Sequence, residues 1–155
     1  MPQETALTES APTESAPEES QRQTSARQEI KAEKLHDAIG HYTDAVRYGD
    51  IVFLSGCGPT NNDLELVGPN DVVAQARQVF ANLGTVLEAA GGGPGDVLRV
   101  TTYLTDIEER SLIQPLYAEF FGEARPTSAT IGVSALAVPG ARVEIQAVAG
   151  IPARP

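Results

Sequence analysis

Tryptophan is absent, cysteine and methionine occur once each, and aromatic residues make up only 5% of the 155-residue chain. One cysteine excludes both an intrachain disulfide framework and a thiolate zinc site. Basic residues are scarce as well: 11 Lys and Arg stand against 21 Asp and Glu, a formal charge of −10. Such a chain repels phosphate backbones and anionic headgroups, so bulk charge argues against nucleic acid and membrane as partners. No segment approaches the roughly 18 consecutive apolar residues of a membrane-spanning helix. What is present is aliphatic. Hydrophobic residues make up 41%, mostly Ala, Val, Leu and Ile, enough for the core of one domain. A soluble cytoplasmic protein is the expectation.

Composition divides the chain unevenly. Thr-Glu-Ser-Ala-Pro occupies residues 8–12 and again 13–17, and a run of Glu, Ser, Gln and Arg follows. Leu7 is the only large aliphatic residue of the first 28 after the initiator Met. Such a segment buries too little apolar surface to offset its ordering entropy. It also lacks the basic start and apolar stretch of a signal peptide. Residues 1–28 are therefore expected to be a disordered acidic tail, and residues 29–155 a single domain.

Beyond the tail the pattern becomes globular. Apolar runs Ala45 to Tyr48 and Ile51 to Ser55 flank Gly49-Asp50, a β-hairpin signature. Asn70 or Asp71 can cap a helix in which Val72, Ala76, Val79, Leu83, Val86 and Ala90 share one face, widened by Phe80 and Leu87. Gly91-Gly92-Gly93-Pro94 ends it, and without the Lys of a phosphate loop this glycine run is a helix stop. Leu98 to Leu104 alternates as a strand. Asp106 and Glu109 have capping-box spacing before a second stripe of Ile113, Leu116, Tyr117 and Phe120. Pro115 places the start of that regular helix near Ser111 or Leu112, after a tighter turn, with its end at Gly122. Ser128 to Val133 and Val143 to Val148 supply two last strands. The order β-β-α-β-α-β-β implies an α/β layer with both helices on one face of one sheet. Ile51 to Leu54 is apolar at every position, as in a strand covered on both faces, and two helices cover only one. A second subunit is the expected cover.

Gly40-His41-Tyr42-Thr43-Asp44-Ala45-Val46 and Gly49-Asp50-Ile51-Val52-Phe53-Leu54-Ser55-Gly56 resemble the opening of the Rid family, the enamine/imine deaminases also called YjgF. The likeness continues through residues 74–83, 100–106 and 117–122. It closes on Val143-Glu144-Ile145-Gln146-Ala147-Val148-Ala149, so that it spans about residues 35–150. The resemblance implies a chorismate-mutase-like (ferredoxin-like) α/β fold with a mixed sheet, assembled as a homotrimeric barrel with small-molecule sites in clefts between subunits. It further implies hydrolysis of a reactive enamine, through its imine, to a keto compound and ammonia, without metal or organic cofactor. The segments 55–59, 125–128 and 137–140 resemble a branch containing 2-aminomuconate deaminases.

Carried over position by position, the resemblance assigns Tyr42 and Glu144 to catalysis. Glu144 would orient and deprotonate the attacking water, and Tyr42 would stack on the substrate or hydrogen-bond its carboxylate. Gly56, Cys57, Gln114, Ser128, Arg125 and His41 are the candidate substrate-binding residues. Three positions of the chain depart from the family pattern: Ser128 stands where a carboxylate-gripping Arg is expected, Gln114 where Asn is usual, and Gln146 replaces the second Glu of the closing motif. A Ser donates one hydrogen bond and lacks the bidentate charge-assisted grip of Arg. Arg125 and Arg142 are candidate substitutes. Cys57 reads as a packed or site-lining thiol, since nothing places His41 beside it as a base. His36 and His41, five apart, do not form a helical metal pair. Two function classes remain open: an imine deaminase, of 2-aminomuconate or another conjugated carboxylated substrate or of a different imine in a specialised pathway, and a non-hydrolytic protein of the same fold that binds a small metabolite or regulates a partner.

Overall fold

The computed structural model describes residues 26–154. The tail expected over residues 1–28 thus lies outside the described residues through residue 25. Its last residue, Gln28, already belongs to a strand, β1 (Gln28–Ile30). The hairpin forms where Gly49 and Asp50 predict it. β2 (Ala45–Tyr48) pairs antiparallel with β3 (Ile51–Leu54), and Gly49 adopts the left-handed backbone (φ +61°) that the tight turn needs.

Asp71, not Asn70, caps the first helix, α1 (Val72–Ala89), its carboxylate accepting from the Ala74 N–H at 3.0 Å. The eight residues assigned to its apolar face are all buried. The helix ends at Ala90, beyond which Gly91 turns left-handed (φ +86°) and the Gly92 N–H donates to Leu87 O. β4 (Val97–Leu104) follows. Asp106 then accepts from the Glu108 N–H in a 3₁₀ turn, Ile107–Glu109. This differs from the expected capping box, because the Glu109 carboxylate is taken by Arg142. The second helix, α2 (Arg110–Phe121), begins one residue before the expected start and closes on Gly122 (φ +60°). β5 (Thr127–Gly132) and β6 (Val143–Gly150) complete the chain.

The six strands form one mixed sheet in the order β1-β2-β3-β6-β4-β5, with β4 and β5 parallel and the other neighbours antiparallel. Both helices cover the same face. Val52, Leu54, Val100, Leu104, Val143, Ile145, Ala147 and Ala149 point into the core they form, and Phe80 meets Tyr117, Phe120 and Phe121 in an aromatic cluster between the helices. The other face stays open. Val52 and Leu54 are buried, but their neighbours Ile51 and Phe53 are 37% and 51% exposed, so the chain alone covers β3 on one side. Among the described residues no helix is long and apolar enough to cross a membrane.

Candidate active site

β3 runs straight into Ser55-Gly56-Cys57, and three contacts hold this segment. The Ser55 N–H donates to Asp44 O at 2.9 Å and its hydroxyl to Thr43 O at 2.6 Å. Cys57 makes an isolated antiparallel bridge to Ile145 on β6, with N–H to O distances of 2.8 and 3.1 Å. Gly56 is thereby laid against Glu144. A Cβ on Gly56 would overlap the Glu144 carboxylate, so the missing side chain is what leaves room for that group. Strand alternation turns Glu144 away from the side on which Val143 and Ile145 are buried.

Glu144, Gly56, Cys57 and Tyr42 share the wall of one cleft of about 500 Å³. Half-burial raises the Glu144 carboxyl above its ordinary range, since removal from water disfavours the anion. Such a group ionises late and takes back a proton readily, the property a general acid–base needs. Cys57 is the opposite case. Burial, reinforced by the nearby Asp44 and Glu144 carboxylates, pushes its thiol up to about 12. Its Sγ faces Ser55 O at 3.8 Å. A thiol so protonated is a packing group and not a nucleophile.

The cleft's walls are held by buried amides. Gln75 is fully buried on α1; its Nε2 donates to Gly68 O (3.2 Å) and Gly140 O (3.1 Å), and its Oε1 accepts from the Arg142 N–H (2.7 Å). It therefore fixes the loop that carries Val138 and Pro139 over the cleft. Asn82, about two turns further along α1, donates to Gly58 O and Thr60 O at 3.0 and 2.9 Å and anchors the opposite wall. Asp44 accepts from the Ala32 N–H at 2.8 Å and faces Lys31 at 3.7 Å, tying down the segment that precedes Tyr42.

The remaining sequence candidates lie elsewhere in the chain. His41 is exposed beside Tyr42 and off the cleft wall, whereas His36 is on it. Ser128 sits on the edge strand β5, three register rows from Ile131, which shares the Glu144 row through Tyr103. Alternation turns it to the side of Val100. Gln114 is on the exposed side of α2, and Arg125 is exposed in the connection to β5. Arg142 is committed, its guanidinium holding Glu109 in a two-pronged pair at 3.1 and 2.5 Å. Asp44, quoted only as part of the opening motif, His36, weighed only as a metal ligand, and Leu64 are cleft residues to which the sequence assigned no site role. Their positions depend on loops whose course carries no periodic signal. Among the described residues no group of three or more His, Cys, Asp or Glu is arranged to hold a metal.

Two helices on one face of a six-stranded mixed sheet, with a half-buried carboxylate at a cleft beside a glycine, define a small two-layer α/β protein with a candidate acid–base site. Residues 32–151 match the family described as Endoribonuclease L-PSP, and the chain belongs to that family, the YjgF/Rid proteins. Protein DfrA of Myxococcus xanthus is 40% identical over 122 residues, covering 77% of this chain and 92% of that protein. The 2-iminobutanoate/2-iminopropanoate deaminase of Capra hircus is 36% identical over 121 residues, covering 77% and 87%. Among solved structures, the Rid-family protein YyfA of Yersinia pestis superposes with a TM-score of 0.77 at 35% identity, over 81% of this chain and 100% of that one.

Proposed function

We propose that this protein hydrolyses a reactive enamine, through its imine tautomer, to the keto compound and ammonia. The observation that carries the reading is Glu144: a carboxyl whose pKa burial raises, on the wall of a cleft large enough for a small metabolite, with Gly56 keeping its carboxylate unobstructed. The electrophile is already reactive, so the protein need only hold it, place a water about 3 Å from the carbon, and move protons. Glu144 takes a proton from that water as its oxygen bonds the imine carbon. It returns that proton to nitrogen, giving the carbinolamine, and then carries the hydroxyl proton to nitrogen as the carbonyl forms, the C–N bond breaks and ammonia leaves. Tyr42, exposed at the mouth, supplies a ring edge and a hydroxyl to the bound substrate. The name of the goat relative, a deaminase of two short imino acids, supports the reaction class. The ribonuclease in the family description finds no support in this cleft. Its described lining holds two carboxylates and no Lys or Arg, and the chain's −10 charge repels phosphate.

The working assembly in this reading is a homotrimer. The open sheet face is its contact surface, and each cleft lies beside a neighbouring copy, which is where Ser128, Gln114 or Arg125 would join it. The branch likeness gives 2-aminomuconate as one test substrate. The non-hydrolytic reading rests on Ser128, which brings no charge to grip a carboxylate.

The test follows acceleration of ammonia release from 2-aminomuconate, from 2-iminopropionate and from the imine of a simple primary amine, each generated in situ. The wild type should accelerate at least one, and Glu144→Gln should lose about 10²–10⁴-fold of that acceleration. Acceleration of none, or an equal rate in the Gln variant, would show a binding protein instead.

A further inference from the structure

Leu64, on the wall of the cleft, is held in a backbone conformation that costs it free energy. Its φ of +64° is left-handed, and every other left-handed position among the described residues is Gly or Asn. A bulky aliphatic residue crowds its own backbone there and stays only where the surroundings enforce it. The enforcement is visible. The Asn61 side chain accepts from the Asp63 and Glu65 N–H groups, both at 3.0 Å, and donates to the Glu65 carboxylate at 3.0 Å. The Leu64 N–H donates to Asn61 O at 3.1 Å, and the Asn61 N–H to Glu65 O at 3.0 Å. The turn is also fastened from outside. Asn62 donates to Lys34 O at 2.9 Å, and Asn82 holds Gly58 O and Thr60 O at its base. All of these bonds form within one chain, so no neighbouring copy is needed to place Leu64.

Burial within the chain does not offset the strain, because 46% of Leu64 remains exposed. What the conformation achieves is placement. Leu64 lines the same cleft as Glu144 and Gly56. With Leu35, His36 and Ile39 it also borders a shallow depression on the other side, so this part of the wall is one side chain thick.

On the reading of this cleft as the site of imine hydrolysis, we infer that Leu64 is a specificity-determining residue. Its side chain packs on the apolar body of the substrate beyond the imine carbon, with Leu35 and Ile39 extending the same surface. The site then favours an imine that carries a branched aliphatic group over one that carries a methyl. This selection acts at the apolar end alone, whichever residue, of this chain or of a neighbouring copy, holds a carboxylate at the other end.

Two imines that share the carboxylate isolate the apolar end. An amino-acid oxidase converts leucine to 4-methyl-2-iminopentanoate and alanine to 2-iminopropionate. The full-length wild type should hydrolyse the first with kcat/KM at least about tenfold higher, and Leu64→Ala and Leu64→Gly should each lower that ratio about tenfold. Gly accepts the left-handed backbone without strain and Ala does not, so Leu64→Gly should melt above Leu64→Ala although both lose the same preference. Sedimentation should give one oligomeric state for all three proteins. In calorimetry the wild type should bind 4-methyl-2-oxopentanoate more tightly than pyruvate, and the two variants should not.

Hydrolysis by a wild type that shows no such preference, or a ratio that both variants leave unchanged, overturns the proposal and leaves the hydrolysis reading standing. A changed oligomeric state in both variants also overturns it, because Leu64 would then serve the contact between copies. A Leu64-dependent preference in calorimetry without acceleration of either imine overturns the hydrolysis reading and leaves the role of Leu64 standing. Absence of the preference from both assays overturns the proposal outright.

Discussion

At the scale of single residues, Gly56 and Glu144 form a pair whose geometry can be tested by adding one methyl group. A Cβ at position 56 overlaps the Glu144 carboxylate, and the colliding atoms are the far end of a flexible side chain. Gly56→Ala should therefore displace the acid–base without unfolding the protein. Hydrolysis is expected to fall by about 10²–10⁴-fold, the range for a lost general acid–base, while the thermal midpoint stays within about 2 °C of wild type. Glu144 makes a second prediction. Its pKa is raised in the folded state by burial, so the folded protein favours the protonated form. The stabilising effect of that protonation is fully present below the unfolded-chain value of about 4.3 and is lost as pH rises through the higher folded value. Glu144→Gln, permanently neutral, should melt above wild type at pH 7–8, and the gap should close below about pH 4. Tyr42, Gly56, Cys57 and Glu144 were legible as a group because they lie in motifs with fixed spacing, and the structure gathers them on one wall. Leu64 was not legible. Its placement depends on a left-handed backbone that only the Asn61 turn enforces.

At the scale of elements, the helices and the edge strand β5 were readable and the other edge, β1, was not. α1 shows its buried face at spacings of three and four and carries a side-chain cap. Its core-facing residues follow from periodicity alone. β1 has three residues, pairs on one side only and buries no residue fully, so no alternation marks it. Glu109 had the right spacing for a cap but is engaged by Arg142, a partner 33 residues away that no local pattern announces. Gln75 shows how a helix reaches the site. Three hydrogen bonds from one buried amide fix the loops at Gly68 and Gly140. Gln75→Leu keeps the volume and leaves two carbonyls and one N–H without partners. The expected loss is about 2–4 kcal/mol in denaturant unfolding. Because the released loop carries Val138 and Pro139, KM should rise more than kcat falls, a split that destabilisation alone would not produce.

At the scale of the whole molecule, the sheet has a finished face and an unfinished one. Ile51, Phe53, Leu98 and Ile131 are exposed by 37% to 51%, and Tyr48 stands beside them at 57%. Leu98 lies over Gly150, the register partner of Ile51, which pairs with Tyr48 and shares its face with Phe53, so these four form one patch, while Ile131 stands apart on β5 in the Glu144 row. Each large apolar side chain left in water forgoes about 1.5–3 kcal/mol of burial, and a contiguous patch of them marks a contact surface. The apolar run of β3 carried this in the sequence: Val52 and Leu54 face the helices, and Ile51 and Phe53 await another layer. Phe53→Asp tests the proposed trimer directly. The substituted side chain faces solvent in the single chain, so the fold should persist, with an unchanged far-ultraviolet spectrum. Sedimentation should show monomers at concentrations where the wild type is trimeric. Hydrolysis should disappear with the trimer if neighbouring copies complete each cleft, even though Glu144 and Gly56 remain untouched in every chain. A Phe53→Asp protein that stays trimeric would place the interface elsewhere, and an active monomer would place the whole catalytic site within one chain.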